Sequence, residues 1–157
     1  MCIRDSIKAS QLLGDSNIND YKIIFTLNGD ENKDIKELYD KVNKYNLPIE
    51  FVGRLKRDEV FNLYTKSYLL FPSYIETFGL PMLEAKLHKT IILASDKAFS
   101  HEILDDYKNA YFFDPFDAEE LMKYIKKLIN NEIIYQNVDI KHERHQEFDL
   151  LSEILKD

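Results

Sequence analysis

The stretch FPSYIETFGLPMLE, residues 71–84, decides the fold class of this 157-residue chain. It begins at the end of an apolar run, passes through a loop that contains Gly79, and ends in a helix that Pro81 can start. A strand, a loop and a helix N-terminus in this order are typical of a βα unit in a parallel sheet. Ligands bind such sheets beyond the carboxyl ends of the strands, so this loop is the first candidate for a binding site.

Apolar runs and amphipathic stretches alternate along the rest of the chain. Strands are predicted at residues 22–27, 49–52, 68–71, 90–94 and 110–113. Helices are predicted at residues 6–13, 30–45, 57–66, 81–88, 100–106, 118–130 and 141–155. Nearly continuous apolar runs are typical of strands that helices cover on both faces. The pattern therefore predicts an α/β domain with a doubly wound, Rossmann-like parallel sheet.

The length of the chain suits one domain with one core. We assign residues 6–157 to a single α/β domain and leave residues 1–5 unassigned, because they show no strand character and need not be native. A doubly wound sheet usually begins with a strand, whereas the first predicted element here is a helix. We therefore expect the first strand of the fold to be missing from this sequence.

Composition excludes several classes of protein. The chain has 28 acidic and 21 basic residues, and this balance disfavours nucleic acid as a partner. Its one cysteine, Cys2, allows no internal disulfide and indicates a reducing, cytoplasmic location. No apolar run is long enough for a membrane span. A membrane surface has one short candidate, the lysines of residues 120–130, but a solvated helix face is the simpler interpretation.

Two carboxylates stand in and after the loop of residues 72–79. Glu76 lies in the loop, and Glu84 is expected in the first turn of the helix that follows. Amides at a helix N-terminus bind diphosphates without a metal or a lysine, and carboxylates accept hydrogen bonds from the hydroxyl groups of sugars. The simpler alternatives are that Glu84 only interacts with the helix dipole and that Glu76 is a solvated loop residue.

PSYIETFGLPMLEA resembles the E-x7-E signature of the family 4 glycosyltransferases, which are retaining enzymes of the GT-B fold. The flanking segments FVGRL, DEVFNLYTKS, ILASD and AYFFDPFDAEEL are similar to the same family, and the resemblance covers residues 7–128. It implies that the chain is the C-terminal, nucleotide-sugar-binding half of such an enzyme. It also implies that no cofactor or metal is required.

The resemblance assigns roles to the residues that match the signature. Glu76 matches the glutamate that approaches the hydroxyls of the donor sugar and is the catalytic candidate. Glu84 matches the glutamate that binds the ribose hydroxyls. The other donor-binding candidates are Leu55, against the nucleobase, and Thr77, Phe78, Gly79 and Leu80, whose backbone meets the sugar and its diphosphate.

The implied reaction is transfer of a sugar from a nucleoside diphosphate to a glycan, lipid or other acceptor with retention of configuration. The leaving diphosphate helps to deprotonate the acceptor, so no protein nucleophile is needed. Two parts of the family pattern are missing: the basic pair after the first strand and the acceptor-binding N-terminal domain. Lys89 and Ile91 also stand where most members have glycine and proline.

Other interpretations remain open. The chain alone can be a nucleotide-sugar-binding fragment without activity, or part of a GT-B sugar-nucleotide epimerase or phosphorylase. His142 and His145 are weak metal candidates because no further ligand accompanies them. His101 and Glu102 can line the site, although Ser100 as a helix N-cap explains that segment more simply. Residues 28–30 are interpreted as a turn and helix cap.

Overall fold

The structure is a computed structural model that describes residues 3–138. Helices and strands alternate through this part of the chain. The helices are α1 (Ile3–Asp15), α2 (Lys33–Lys44), α3 (Arg57–Tyr64), α4 (Leu80–Leu87), α5 (Ala98–Leu104) and α6 (Ala118–Ile129). The strands are β1 (Ile23–Phe25), β2 (Ile49–Phe51), β3 (Leu69–Phe71), β4 (Ile92–Ser95) and β5 (Ala110–Phe113). The helix predicted at residues 141–155 lies outside the described residues.

All five predicted strands are confirmed, whereas several predicted helix starts are wrong. The first helix starts at Ile3 rather than at residue 6, and Ile3 packs against Ile7 and the neighbouring core. The second starts at Lys33, with Asn32 as its N-cap, because the Asn32 side chain accepts the Ile35 N–H at 2.9 Å. Residues 28–30 therefore form a turn before the cap and do not contain it.

The strands are parallel and form two sheets, with the orders β1-β2 and β3-β4-β5. The α/β class and the parallel arrangement are confirmed, but the described strands do not form the one continuous sheet that was expected. Within residues 3–138, no strand pairs with the second edge of β1 or of β3. The absence of a first strand from the sequence stays a prediction.

Strand β4 is the centre of the core, and all four of its residues are buried. On one face, Leu93 packs with Phe113 and with apolar residues of α1 and α6. On the other face, Ile92 and Ala94 pack with residues of α3, α4 and α5. Because alternate residues of a strand point to opposite faces, helices cover β4 on both sides. This arrangement confirms the doubly wound character of the fold.

Helix α1 connects the two sheets. Its residues Ala9 and Leu13 belong to the cluster around Leu93, whereas Ile7 packs against α2 and strands β1 and β2. The helix therefore fixes the position of the β1-β2 sheet relative to the β3-β4-β5 sheet by apolar packing.

Four helices end in the same backbone motif. The residue after each C-cap has a positive φ, and this residue is Asn17, Asn46, Lys89 or Asn131. At the end of α4, the Lys89 N–H donates to the Lys86 carbonyl at 2.9 Å and the Thr90 N–H donates to the Ala85 carbonyl at 3.0 Å. These two bonds form a Schellman motif, which favours glycine or asparagine at the left-handed position. Lysine at residue 89, with φ 59°, is the exception.

We predict that Lys89→Gly stabilises the protein by about 0.5–1 kcal/mol, because glycine adopts the left-handed region without steric cost. The free energy of unfolding from urea titrations measures the effect. Asn46→Gly is the matched control and should change stability less, since asparagine already tolerates a positive φ. A Lys89→Gly variant no more stable than the parent chain would contradict the prediction.

Candidate functional site

The loop of residues 72–79 follows β3 at the carboxyl edge of its sheet, and neighbouring loops hold it in place. The buried Ser95 hydroxyl, at the end of β4, donates to the Ser73 carbonyl. Further along, the Tyr74 ring lies 5.4 Å from the Phe116 ring of the loop after β5. The segment from Tyr74 to Phe78 is exposed. The loop thus has fixed anchor points and an accessible middle, as a binding loop requires.

Gly79 sets the start of α4. It is the N-cap, with φ 66°, and a β-carbon there would lie 2.5 Å from Met82 Cε and 3.1 Å from Ile103 Cδ1. The left-handed backbone selects glycine at this position, because the crowding comes from Met82 Cε, the end of a flexible side chain that can move aside. Because Gly79 ends the loop in this conformation, α4 begins at Leu80. Pro81 is consequently the second helical residue, and the prediction that it is the first is wrong.

Glu76 folds back over the start of α4. Its Oε1 accepts the backbone N–H of Thr77 at 2.9 Å, and its Cγ lies 3.7 Å from where a β-carbon of Gly79 would be. The Thr77 amide, a predicted contact of the donor sugar, therefore donates to Glu76 in this structure. The carboxylate itself is exposed at the mouth of the loop.

Glu84 lies in the second turn of α4, so its predicted place in the first turn is wrong. Its side chain is 13% exposed and has two partners on α3. Arg57 Nη2 lies 3.2 Å from Oε1, and the Tyr64 hydroxyl donates to Oε2 at 3.2 Å. Burial of the phenol, and then the charge of Glu84, raise the pKa of Tyr64. The hydroxyl therefore keeps its proton and remains a donor.

Arg57 and Tyr64 were missed by the sequence analysis. They occupy the two ends of α3, seven residues apart, and so lie on one face of that helix. The sequence does contain a signal for these two residues. They are an arginine and a tyrosine spaced for one helix face, and they follow a loop with a candidate ligand contact. Their partner Glu84 is 27 and 20 residues away, and only the packed structure brings the three side chains together.

The loop of residues 52–56 brings the predicted nucleobase contact to the same region. Leu55 is half-buried in this loop, which follows β2. The Gly53 N–H donates to the Leu27 carbonyl at 2.9 Å and ties the loop to the end of β1. Because Arg57 stands two residues after Leu55 and contacts Glu84, the loop after β2 meets α4 at this point. Leu55 therefore lies two residues along the chain from the Arg57–Glu84 contact.

His101 forms a separate polar cluster at the end of β4. Its Nε2 lies 2.7 Å from Asp96 Oδ1, its Nδ1 lies 2.5 Å from Asp105 Oδ1, and its ring stacks on Phe112 at 4.1 Å. The hydrogen bonds with Asp96 and then Asp105 raise the pKa of His101.

Ser100 was predicted to be the N-cap of this helix, and that prediction is wrong. Ser100 is buried inside α5, whose N-cap is Lys97.

Within residues 3–138, no three histidine, cysteine, aspartate or glutamate side chains are grouped to hold a metal ion. His142 and His145 lie outside this part. In the same range, no helix combines the length and the apolar character that crossing a bilayer demands.

Comparison with known proteins now assigns the family. Residues 3–145 match the family described as Glycosyl transferases group 1. The chain belongs to this family. Over 93 residues, 59% of the chain, this group 1 glycosyl transferase is 33% identical to the O-antigen chain mannosyltransferase RfbU of Salmonella typhimurium. The match spans 24% of the length of that relative. Two parallel sheets covered by helices are consistent with the Rossmann-like C-terminal domain of a GT-B fold.

We predict that His101 makes the stability of this group 1 glycosyl transferase depend on pH. A protonated imidazole donates to both Asp96 and Asp105, whereas a neutral one donates to only one of them. Because the folded-state pKa is raised, the stabilisation is fully present below the unfolded pKa of about 6.5 and is lost as the pH rises through the folded pKa.

The measurement is the free energy of unfolding of the parent chain and His101→Gln from about pH 5.5 to 8.5. The difference between the two proteins should shrink as the pH rises. A difference that stays constant over this range would show that the ring contributes by packing on Phe112 alone.

Proposed function

We propose that this chain is the nucleotide-sugar-binding domain of a retaining, family 4 glycosyltransferase of the GT-B fold. The observation that carries the proposal is the Glu84 carboxylate, which is largely buried in α4, the helix after the β3 loop, and is held there by Arg57 and Tyr64. An oriented carboxylate at the carboxyl edge of a parallel sheet suits the hydroxyl pair of a ribose. Membership of the glycosyl transferase family supports a nucleoside-diphosphate sugar as the ligand.

In the proposed complex the ligand follows the surface from the loop after β2 to the loop after β3. Leu55 contacts the nucleobase, and Glu84 accepts hydrogen bonds from the ribose hydroxyls. The backbone amides of Phe78, Gly79 and Leu80 face the diphosphate at the start of α4, where the helix dipole favours negative charge. For Thr77 to donate as well, its amide must leave the Glu76 carboxylate, which then turns to the donor sugar.

The proposed reaction exchanges one bond at the anomeric carbon. The bond from this carbon to the diphosphate oxygen breaks, and a bond to the acceptor oxygen forms on the same face of the sugar. The acceptor proton passes to the leaving diphosphate. Glu76 acts by holding the sugar hydroxyls, so that the two oxygens are in place when the bond breaks. Neither a covalent enzyme intermediate nor a metal is part of the proposal.

The relative from Salmonella typhimurium suggests which substrates to test first. Its name describes a mannosyltransferase that acts on an O-antigen chain. We therefore propose a mannosyl nucleotide as donor and a carbohydrate, free or lipid-linked, as acceptor. An N-terminal domain would bind the acceptor and complete the site, and we propose that the chain alone binds nucleotide weakly and transfers no sugar.

We predict that the purified chain binds GDP or UDP with a dissociation constant in the millimolar range and that Glu84→Ala abolishes this binding. NMR titration of ¹⁵N-labelled protein measures such weak affinities, and the amides of Phe78 and Gly79 should shift. Glu37→Ala, which removes an exposed acid of α2, is the matched control and should leave binding unchanged.

Two results would contradict the proposal. Binding that survives Glu84→Ala would place the nucleotide elsewhere. Sustained sugar transfer by the chain without an added domain would contradict the proposal that a second domain binds the acceptor and completes the site.

A further inference from the structure

The contacts of Glu84 with α3 identify two residues to which no role has been assigned. Arg57 and Tyr64 bind different oxygens of the carboxylate, each at 3.2 Å. The two contacts come from opposite ends of α3, so the carboxylate can neither rotate nor shift without breaking one of them. The first and last residues of α3 therefore hold the Glu84 carboxylate in place.

Tyr64 is the rigid partner. Its side chain is buried, and its ring packs beside the Phe61 and His88 rings, with centroids at 6.5 and 5.6 Å. Its backbone is also fixed, because the Thr90 hydroxyl donates to the Tyr64 carbonyl. A buried phenol that donates to a carboxylate keeps that carboxylate in one orientation, since leaving either group unpaired costs free energy.

Arg57 is the exposed partner. Its side chain is 41% exposed, and its guanidinium lies 5.3 Å from the centre of the Phe61 ring. The ring and Glu84 together hold the guanidinium beside the carboxylate. Arg57 is thus held less rigidly than Tyr64, because solvent reaches its side chain.

The two contacts leave part of the carboxylate available. An ionised carboxylate has about four lone-pair positions, two on each oxygen. One position on each oxygen is occupied, by Arg57 or by Tyr64, and one on each oxygen remains. The two neighbouring hydroxyls of a ribose can donate to these two positions, one on each oxygen.

We propose that Arg57 and Tyr64 are positioning residues that orient Glu84 toward a vicinal diol and so make the site selective for ribonucleotides over 2′-deoxyribonucleotides. The inference rests on the proposed function, because it takes a nucleotide as the ligand. It adds Arg57 and Tyr64 as the residues that orient Glu84. It also adds the vicinal diol of the ribose as the ligand group that the oriented carboxylate recognises.

The test is the ratio of dissociation constants for 2′-dGDP and GDP, measured by NMR titration of the 157-residue chain. We expect the parent chain to favour GDP by about ten-fold, as a hydrogen bond to a charged group would give. Tyr64→Phe should bring the ratio close to one by weakening GDP and leave 2′-dGDP within about two-fold of its parent value.

Tyr107→Phe is the matched control. The Tyr107 hydroxyl is also buried and donates to a backbone carbonyl, that of Thr90, at 2.8 Å. Its removal destabilises the fold in a similar way without touching Glu84, so the ratio should stay at its parent value. Equal loss of selectivity in Tyr64→Phe and Tyr107→Phe would mean a general structural effect and would overturn the proposal.

Arg57→Gln tests the second contact, with Arg4→Gln as its control for charge, since Arg4 is an exposed arginine of α1. We expect reduced selectivity with Arg57→Gln alone. If GDP binds and depends on Glu84 but neither Tyr64→Phe nor Arg57→Gln changes the ratio, the positioning proposal fails and the proposed function stands. If the parent chain binds neither GDP nor UDP, both proposals fail together.

Discussion

Burial of β4 on both faces is the constraint on which the rest of this structure depends. Leu93 points into the layer of α1 and α6, and Ile92 and Ala94 point into the layer of α3, α4 and α5. Because β4 cannot leave either layer, the loops at its carboxyl end are fixed as well. Ser95, its last residue, holds the loop after β3 through the Ser73 carbonyl. Ser95 thus connects core packing with the candidate site, and so does Tyr64, a core residue that donates to Glu84.

The strands were predictable because each is a short apolar run between turn residues, a signal that lies within the strand itself. The division into two sheets was not, since pairing depends on which distant edges meet. The start of α4 was misplaced for a local reason: Pro81 marks a first turn, but the left-handed Gly79 moves that turn one residue earlier. The special backbone after α4 could be anticipated, because the family resemblance placed a glycine at residue 89. Lys89 has the positive φ that glycine would adopt there.

The candidate site was predicted in part. Glu76, Gly79 and Glu84 were identified because they stand in one continuous signature. Arg57 and Tyr64 were not, because their significance lies in a contact between two helices that the sequence separates by 20 or more residues. Sequence patterns report the residues that meet a ligand more readily than the residues that hold them in place. The latter depend on packing, and in this chain packing places α3 against α4.

The two sheets also have a consequence for how the protein behaves in concentrated solution. Strands β1 and β3 carry apolar residues, and none of these is fully buried. Each strand has an edge that no strand among residues 3–138 pairs with, and an open apolar edge can pair with a strand of another molecule. A net charge of −7 keeps molecules apart at long range but is screened beyond about 8 Å at physiological salt. Salt therefore weakens the charge repulsion that opposes association of the chain through such edges.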